Sequence, residues 1–130
     1  MANNYIELSA FLKVAPEKIE KAKEVLEAII TEADNCKEWG YCSFDATVED
    51  TGVWFRHNET VIVEQVEAAA SRLLEELEID EPFFCSWAYT CSKPRVNEFG
   101  GGAFVMKRGK PTKYVDAMNK VEAWAHKYKW

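Results

Sequence analysis

Phe83–Met106 reads FFCSWAYTCSKPRVNEFGGGAFVM, and its reading decides the architecture of the whole chain. An aromatic strand comes first, then a basic turn, three consecutive glycines and a second apolar strand. Read outward from here, the first strand closes one set of elements and the second opens another.

Upstream, NYIELSAFLKV (residues 4–14) places Ile6, Leu8, Ala10 and Leu12 on one side and mostly polar residues on the other, the alternation of a half-buried strand. Pro16 suits the first turn of a helix, where its missing N–H costs nothing. From there Ile19, Ala22, Leu26, Ile29, Ile30 and Ala33 recur at threes and fours between Glu and Lys, which predicts an amphipathic helix. Tyr41–Glu49 alternates again, Asp50-Thr51-Gly52 makes a turn, and Val53–His57 returns as the second strand of a hairpin. Asn58-Glu59-Thr60 offers capping chemistry to a second helix, whose stripe is Val63, Val66, Ala70, Leu73, Leu74 and Leu77.

Downstream of the glycines, Ala103–Lys107 reads as a short strand and Thr112–Val115 as an edge strand. Asn119 and Glu122 have the spacing of a capping box for a final helix carrying Val121, Trp124, Ala125 and Tyr128. The predicted order is β-α-β-β-α-β-β-β-α. Its first six elements match a ferredoxin-like βαββαβ arrangement, an α+β antiparallel sheet with helices on one face. The expected layout is a single domain, with a core over about residues 4–91 and a C-terminal hairpin and helix over about 102–128.

Composition bounds the class. The chain has 130 residues, 48% apolar and 29% charged, ordinary values for a globular domain. No run of about 18 apolar residues predicts a membrane span, and the N-terminal segment lacks the pattern of a signal peptide. A cytoplasmic location in a bacterial host is the expectation. Cys36–Cys42 and Cys85–Cys91 are pairs with a spacing of six. On one strand that spacing puts two thiols about 20 Å apart, too far for one tetrahedral ion. Four reduced, mostly buried thiols are expected, with no metal and no cofactor.

The net charge of −6 conceals a division: residues 1–92 carry −12 and residues 93–130 carry +6. A basic C-terminal third suits an anionic ligand, or the two parts face each other in the fold. Ser92, Lys93, Pro94, Arg95, Asn97 and Gly100–Gly102 are expected between two strands. Glycine amides in a turn form an anion-binding concavity, to which Lys93 and Arg95 would add charged donors, with Trp87 and Tyr89 beside them as stacking surfaces. No phosphate-loop or dinucleotide fingerprint is present, so a twist-permitting bulge is the competing reading. Catalytic groupings are sparse: Cys42 with His57 is the one nucleophile–base pair to weigh, and a core-facing strand cysteine is normally inert. The C-terminal KYVDAMNKVEAWAHKYKW has the composition of a docked amphipathic helix with snorkelling lysines, or of a single-stranded nucleic acid surface.

Trp87–Arg95, WAYTCSKPR, and Phe99–Ala103, FGGGA, resemble segments shared by a group of small uncharacterised proteins of phages, prophages and plasmids. The likeness runs over most of the chain, and the two quoted segments are its specific part. It implies a mobile-element setting and no particular reaction. The stretch beyond about Asn119 is longer and more basic than the resemblance implies. The expected function is that of a non-enzymatic binding protein engaging a host or phage protein, in an accessory or anti-defence role, through Trp87, Tyr89, Lys93, Arg95, Gly100, Gly101 and Gly102. A nucleotide or phosphate ligand at the same residues is the alternative, and a small hydrolase or transferase ranks third. No membrane partner is expected, and self-association through edge strands and exposed aromatics is open.

Overall fold

The computed structural model describes residues 4–37, 40–96 and 98–129. It is an α+β structure in which the strands β1 (Asn4–Lys13), β2 (Phe44–Glu49), β3 (Gly52–His57), β4 (Phe83–Cys91), β5 (Gly100–Met106) and β6 (Lys113–Asp116) form one sheet. The helices are α1 (Ile19–Asp34), α2 (Val63–Glu76) and α3 (Ala117–Tyr128). The sheet order is β2-β3-β1-β4-β5-β6, and every neighbouring pair is antiparallel.

Alternation in β1 sends Leu8, Ala10 and Leu12 inward, and β3 adds Val53 and Phe55. The apolar stripes of α1 (Ala22, Val25, Leu26, Ile29) and α2 (Val66, Ala69, Ala70, Leu73, Leu74) cover them, and together they make the core. Aromatic rings cross this face in a row. Phe44 meets Phe55 at 5.6 Å, Phe55 meets Phe83 at 6.0 Å, Phe83 meets Phe104 at 6.0 Å, and Phe104 meets Tyr114 at 5.7 Å. Between β3 and β4 lies β1, and Ala10, paired with Phe55, is small enough for rings to meet across it. Edge-to-face and tilted contacts of this kind add to simple burial.

Several expected boundaries move, most of them where a side chain takes a backbone group that regular structure would have used. A 3₁₀ turn at Pro16–Lys18 precedes α1, which starts at Ile19. The strand expected from Tyr41 begins at Phe44 instead. Cys42 N–H donates to Asp34 Oδ1 at 2.8 Å, Ser43 N–H donates to Gln65 Oε1 at 2.7 Å, and Tyr41 C=O accepts from Gln65 Nε2 at 2.8 Å. Gln65, buried on α2, thus holds the entry to β2, and Ser43 Oγ in turn accepts from Ile62 N–H at 2.8 Å. Thr60 does not cap α2: its Oγ1 accepts from Ile6 N–H at 2.8 Å, tying the loop to β1. The N-cap of the last helix falls three residues before the one expected at Asn119: Asp116 caps it and accepts from Asn119 N–H at 3.0 Å.

At the far end of α2, Glu78 takes a left-handed φ of 52° and Ile79 N–H donates to Leu74 C=O at 2.9 Å, the bond of a Schellman turn. Lys18 Nζ donates to Leu77 C=O at 2.6 Å, placing a cation on the carbonyl end of the helix. Arg72 joins the two covering helices by bonding Glu76 and Glu32.

Candidate functional site

The residues singled out from the sequence gather at one end of β4 and β5. Trp87 and Tyr89 lie on β4 directly opposite Gly102 and Gly100 of β5, and Ala88 lies opposite Gly101. The three glycines are therefore strand residues, not a loop between strands. None of them has a positive φ; among the described residues the positive-φ glycines are Gly40 and Gly109. A backbone anion nest needs alternating right- and left-handed residues, so the glycines do not form one. The bulge reading fails as well, because the ladder through Gly100–Gly102 is regular.

What the glycines do is make room. A Cβ on Gly102 would stand 2.5 Å from Trp87 Cζ2 and 2.9 Å from Val115 O, and one on Gly101 would stand 2.7 Å from Trp87 O. The indole of Trp87 lies against Gly102 and meets Phe104 at 6.1 Å, so it extends the aromatic row to the edge of the covered region. A large ring opposite a bare glycine restores the contact surface the glycine lacks. The price in polarity is one indole N–H that is buried with no acceptor among the described residues. Trp87 is thus a half-buried packing residue. Tyr89, at the rim, is more open, and a Cβ on Gly100 would rest 3.5 Å from its ring.

Beyond the ladder the chain leaves the protein surface. Lys93, Pro94, Arg95 and Val96 are all exposed, Val96 at 86%, and Arg95 N–H donates to Lys93 C=O at 2.8 Å. Asn97 lies outside the described residues, as do Glu38 and Trp39 of the loop after α1. Phe99 is exposed just before β5. The tip therefore combines one ammonium and one guanidinium group with apolar side chains in water, and Tyr89 stands at its base. Lys93 and Arg95 carry no ion pair among the described residues.

The Cys42–His57 pair is not assembled for catalysis. His57 sits opposite Phe44 in the hairpin, and its Nδ1 lies 3.0 Å from Leu8 N and 3.1 Å from Leu8 O, prolonging the β1–β3 ladder with a side chain. Cys42 Sγ donates to Phe44 C=O at 3.3 Å, and burial pushes its thiol upward, away from the thiolate a nucleophile needs. Cys85 is buried more deeply and burial alone pushes it up to about 12. All four thiols are free; Cys85 is fully buried, and the other three are half-buried, more open than the sequence suggested. Among the described residues no group of three or more His, Cys, Asp or Glu side chains could hold a metal ion. Among the described residues no helix is long and apolar enough to cross a membrane.

Sequence reasoning missed two surfaces. One is α3, expected to dock: none of its described residues is buried, and Trp124 is 50% exposed. The other is the sheet face turned away from α1 and α2, where Phe11, Trp54 and Phe84 stand open. The signal for the second was present, since Phe11, Trp54 and Phe84 fall at the polar phase of their strands' alternation. No protein-family model, curated protein or solved structure matches the chain.

Proposed function

We propose that the protein is a non-enzymatic binding protein of a phage or other mobile element, engaging a host macromolecule in an accessory or anti-defence role through the β4–β5 tip. The observation that carries this reading is the exposed tip itself: Lys93 and Arg95 without ion-pair partners among the described residues, beside exposed Val96 and Phe99. Unpaired cations flanked by exposed apolar and aromatic groups have the composition of an interface anchor. The mobile-element setting rests on the WAYTCSKPR and FGGGA segments. Beneath the tip we read the first six elements as a ferredoxin-like core. The order β4-β1-β3-β2, with α1 joining β1 to β2 and α2 joining β3 to β4, supports this. Two further strands, β5 and β6, then extend the sheet beyond β4. A cytoplasmic site of action belongs to the same proposal.

The test is capture from a bacterial lysate with wild-type protein and with Lys93→Glu/Arg95→Glu. A defined partner retained by the wild type and lost by the variant supports the reading. A partner held equally by both, or none, sinks it. A nucleotide-induced thermal stabilisation that Arg95→Ala abolishes would instead favour a phosphate ligand, held by the two cations without help from a glycine nest.

A further inference from the structure

We propose that the open sheet face is an interface between two copies of this chain, packed face to face about a two-fold axis that runs along the strands. This does not rest on the function proposed above, since the surface is a different one. An antiparallel sheet face that meets water is ordinarily polar. Here one row across the face is apolar, flanked on β1 and β4 by Glu7, Ser9, Lys13, Ser86 and Thr90. Trp54 pairs with Phe11 across β3 and β1, Phe84 pairs with Val105 across β4 and β5, and Ala103 pairs with Val115 across β5 and β6. Phe11 and Phe84 line a common groove, and Phe84 is 67% exposed.

The occupant follows from the charges at the two sides of that apolar band. Toward the β2 edge the same face carries Asp45 and Glu49. Arg56 lies there too, stacked on Trp54 at 4.2 Å and donating to Thr47, and Lys13 closes one end. Toward the β6 edge the face carries Lys113, paired with Val105. The face is therefore more acidic at one edge and basic at the other. A two-fold axis along the strands lays the β2 edge of one copy over the β6 edge of its partner, twice over. An axis across the strands would put like edges together and is disfavoured. One operation thus buries both apolar bands and matches both pairs of edges, as an isologous dimer requires.

Sedimentation velocity of the full chain at roughly 100 µM, ample for an interface of standard size, is the test. The expected species has twice the monomer's 14.9 kDa. Phe84→Glu, at an exposed position that the monomer's fold tolerates, is expected to raise the dissociation constant on the order of 100-fold. Asp45→Lys/Glu49→Lys and Lys113→Glu should each weaken self-association alone, and should form a heterodimer when mixed. A wild-type monomer, a dimer indifferent to Phe84→Glu, or no heterodimer on mixing would each overturn the proposal.

Discussion

The sheet has a covered half and an uncovered half, made of strands of similar apolar content. In the half formed by β2, β3, β1 and β4, inward side chains such as Leu12, Val53 and Phe55 are sealed by α1 and α2. In the half formed by β5 and β6, only Phe104 and Met106 are fully buried, and Tyr114, Val115 and most of α3 remain open. The difference lies in the connections. Each helix of the first half is the crossover between two strands of the sheet and is returned over the strands it joins. The second half is the β5–β6 hairpin, and α3, which follows it, is not a crossover between two of the described strands. Amphipathic pattern alone does not bury a helix; topology must carry it to a face.

The largest expected contrast comes from truncating rings along the aromatic row. Phe55→Ala, at 0% exposure, should cost about 3–5 kcal/mol in urea unfolding, the usual range for a buried ring. Tyr114→Ala, at the row's open end, should cost far less; equal losses would break the division into halves. The seam between the halves is tested next. Gly102→Ala forces a Cβ against the Trp87 ring and Val115 O, with an expected loss of about 1–3 kcal/mol. Combined with Trp87→Phe, which shortens the ring and removes the orphaned indole N–H, part of that loss should return in a double-mutant cycle. Additive effects would mean the glycine does not serve the tryptophan. The smallest effect belongs to the uncovered half. In dilute, monomeric protein Trp124→Ala should shift stability within about 0.5 kcal/mol, and a larger shift would show α3 to be docked in the monomer.

Much of this was legible beforehand. Period-two and period-3.6 patterns located the strands and helices in their order, because each reflects which face of one element meets apolar neighbours. Where the reading slipped, long-range side chains had intervened: Gln65 holding Tyr41 and Ser43, Thr60 turned to Ile6, Asp116 capping ahead of Asn119. Of the candidate site, the basic character of Lys93 and Arg95 was plain, whereas the role of Gly100–Gly102 was not. A glycine run is the same letters in a nest, a bulge or a strand, and the choice depends on its neighbours across the ladder.

By itself, then, the amino-acid sequence determined the kinds of element, their order, the apolar stripes of α1 and α2, and the division of charge between residues 1–92 and 93–130. These depend on local spacing and on composition, which one chain segment expresses alone. Only the tertiary structure decided that Trp87 and Tyr89 lie over glycines, that His57 prolongs a ladder, and that α3 stays uncovered. Those outcomes depend on which strands become neighbours and which faces a connection carries its helix across, and no local pattern encodes that.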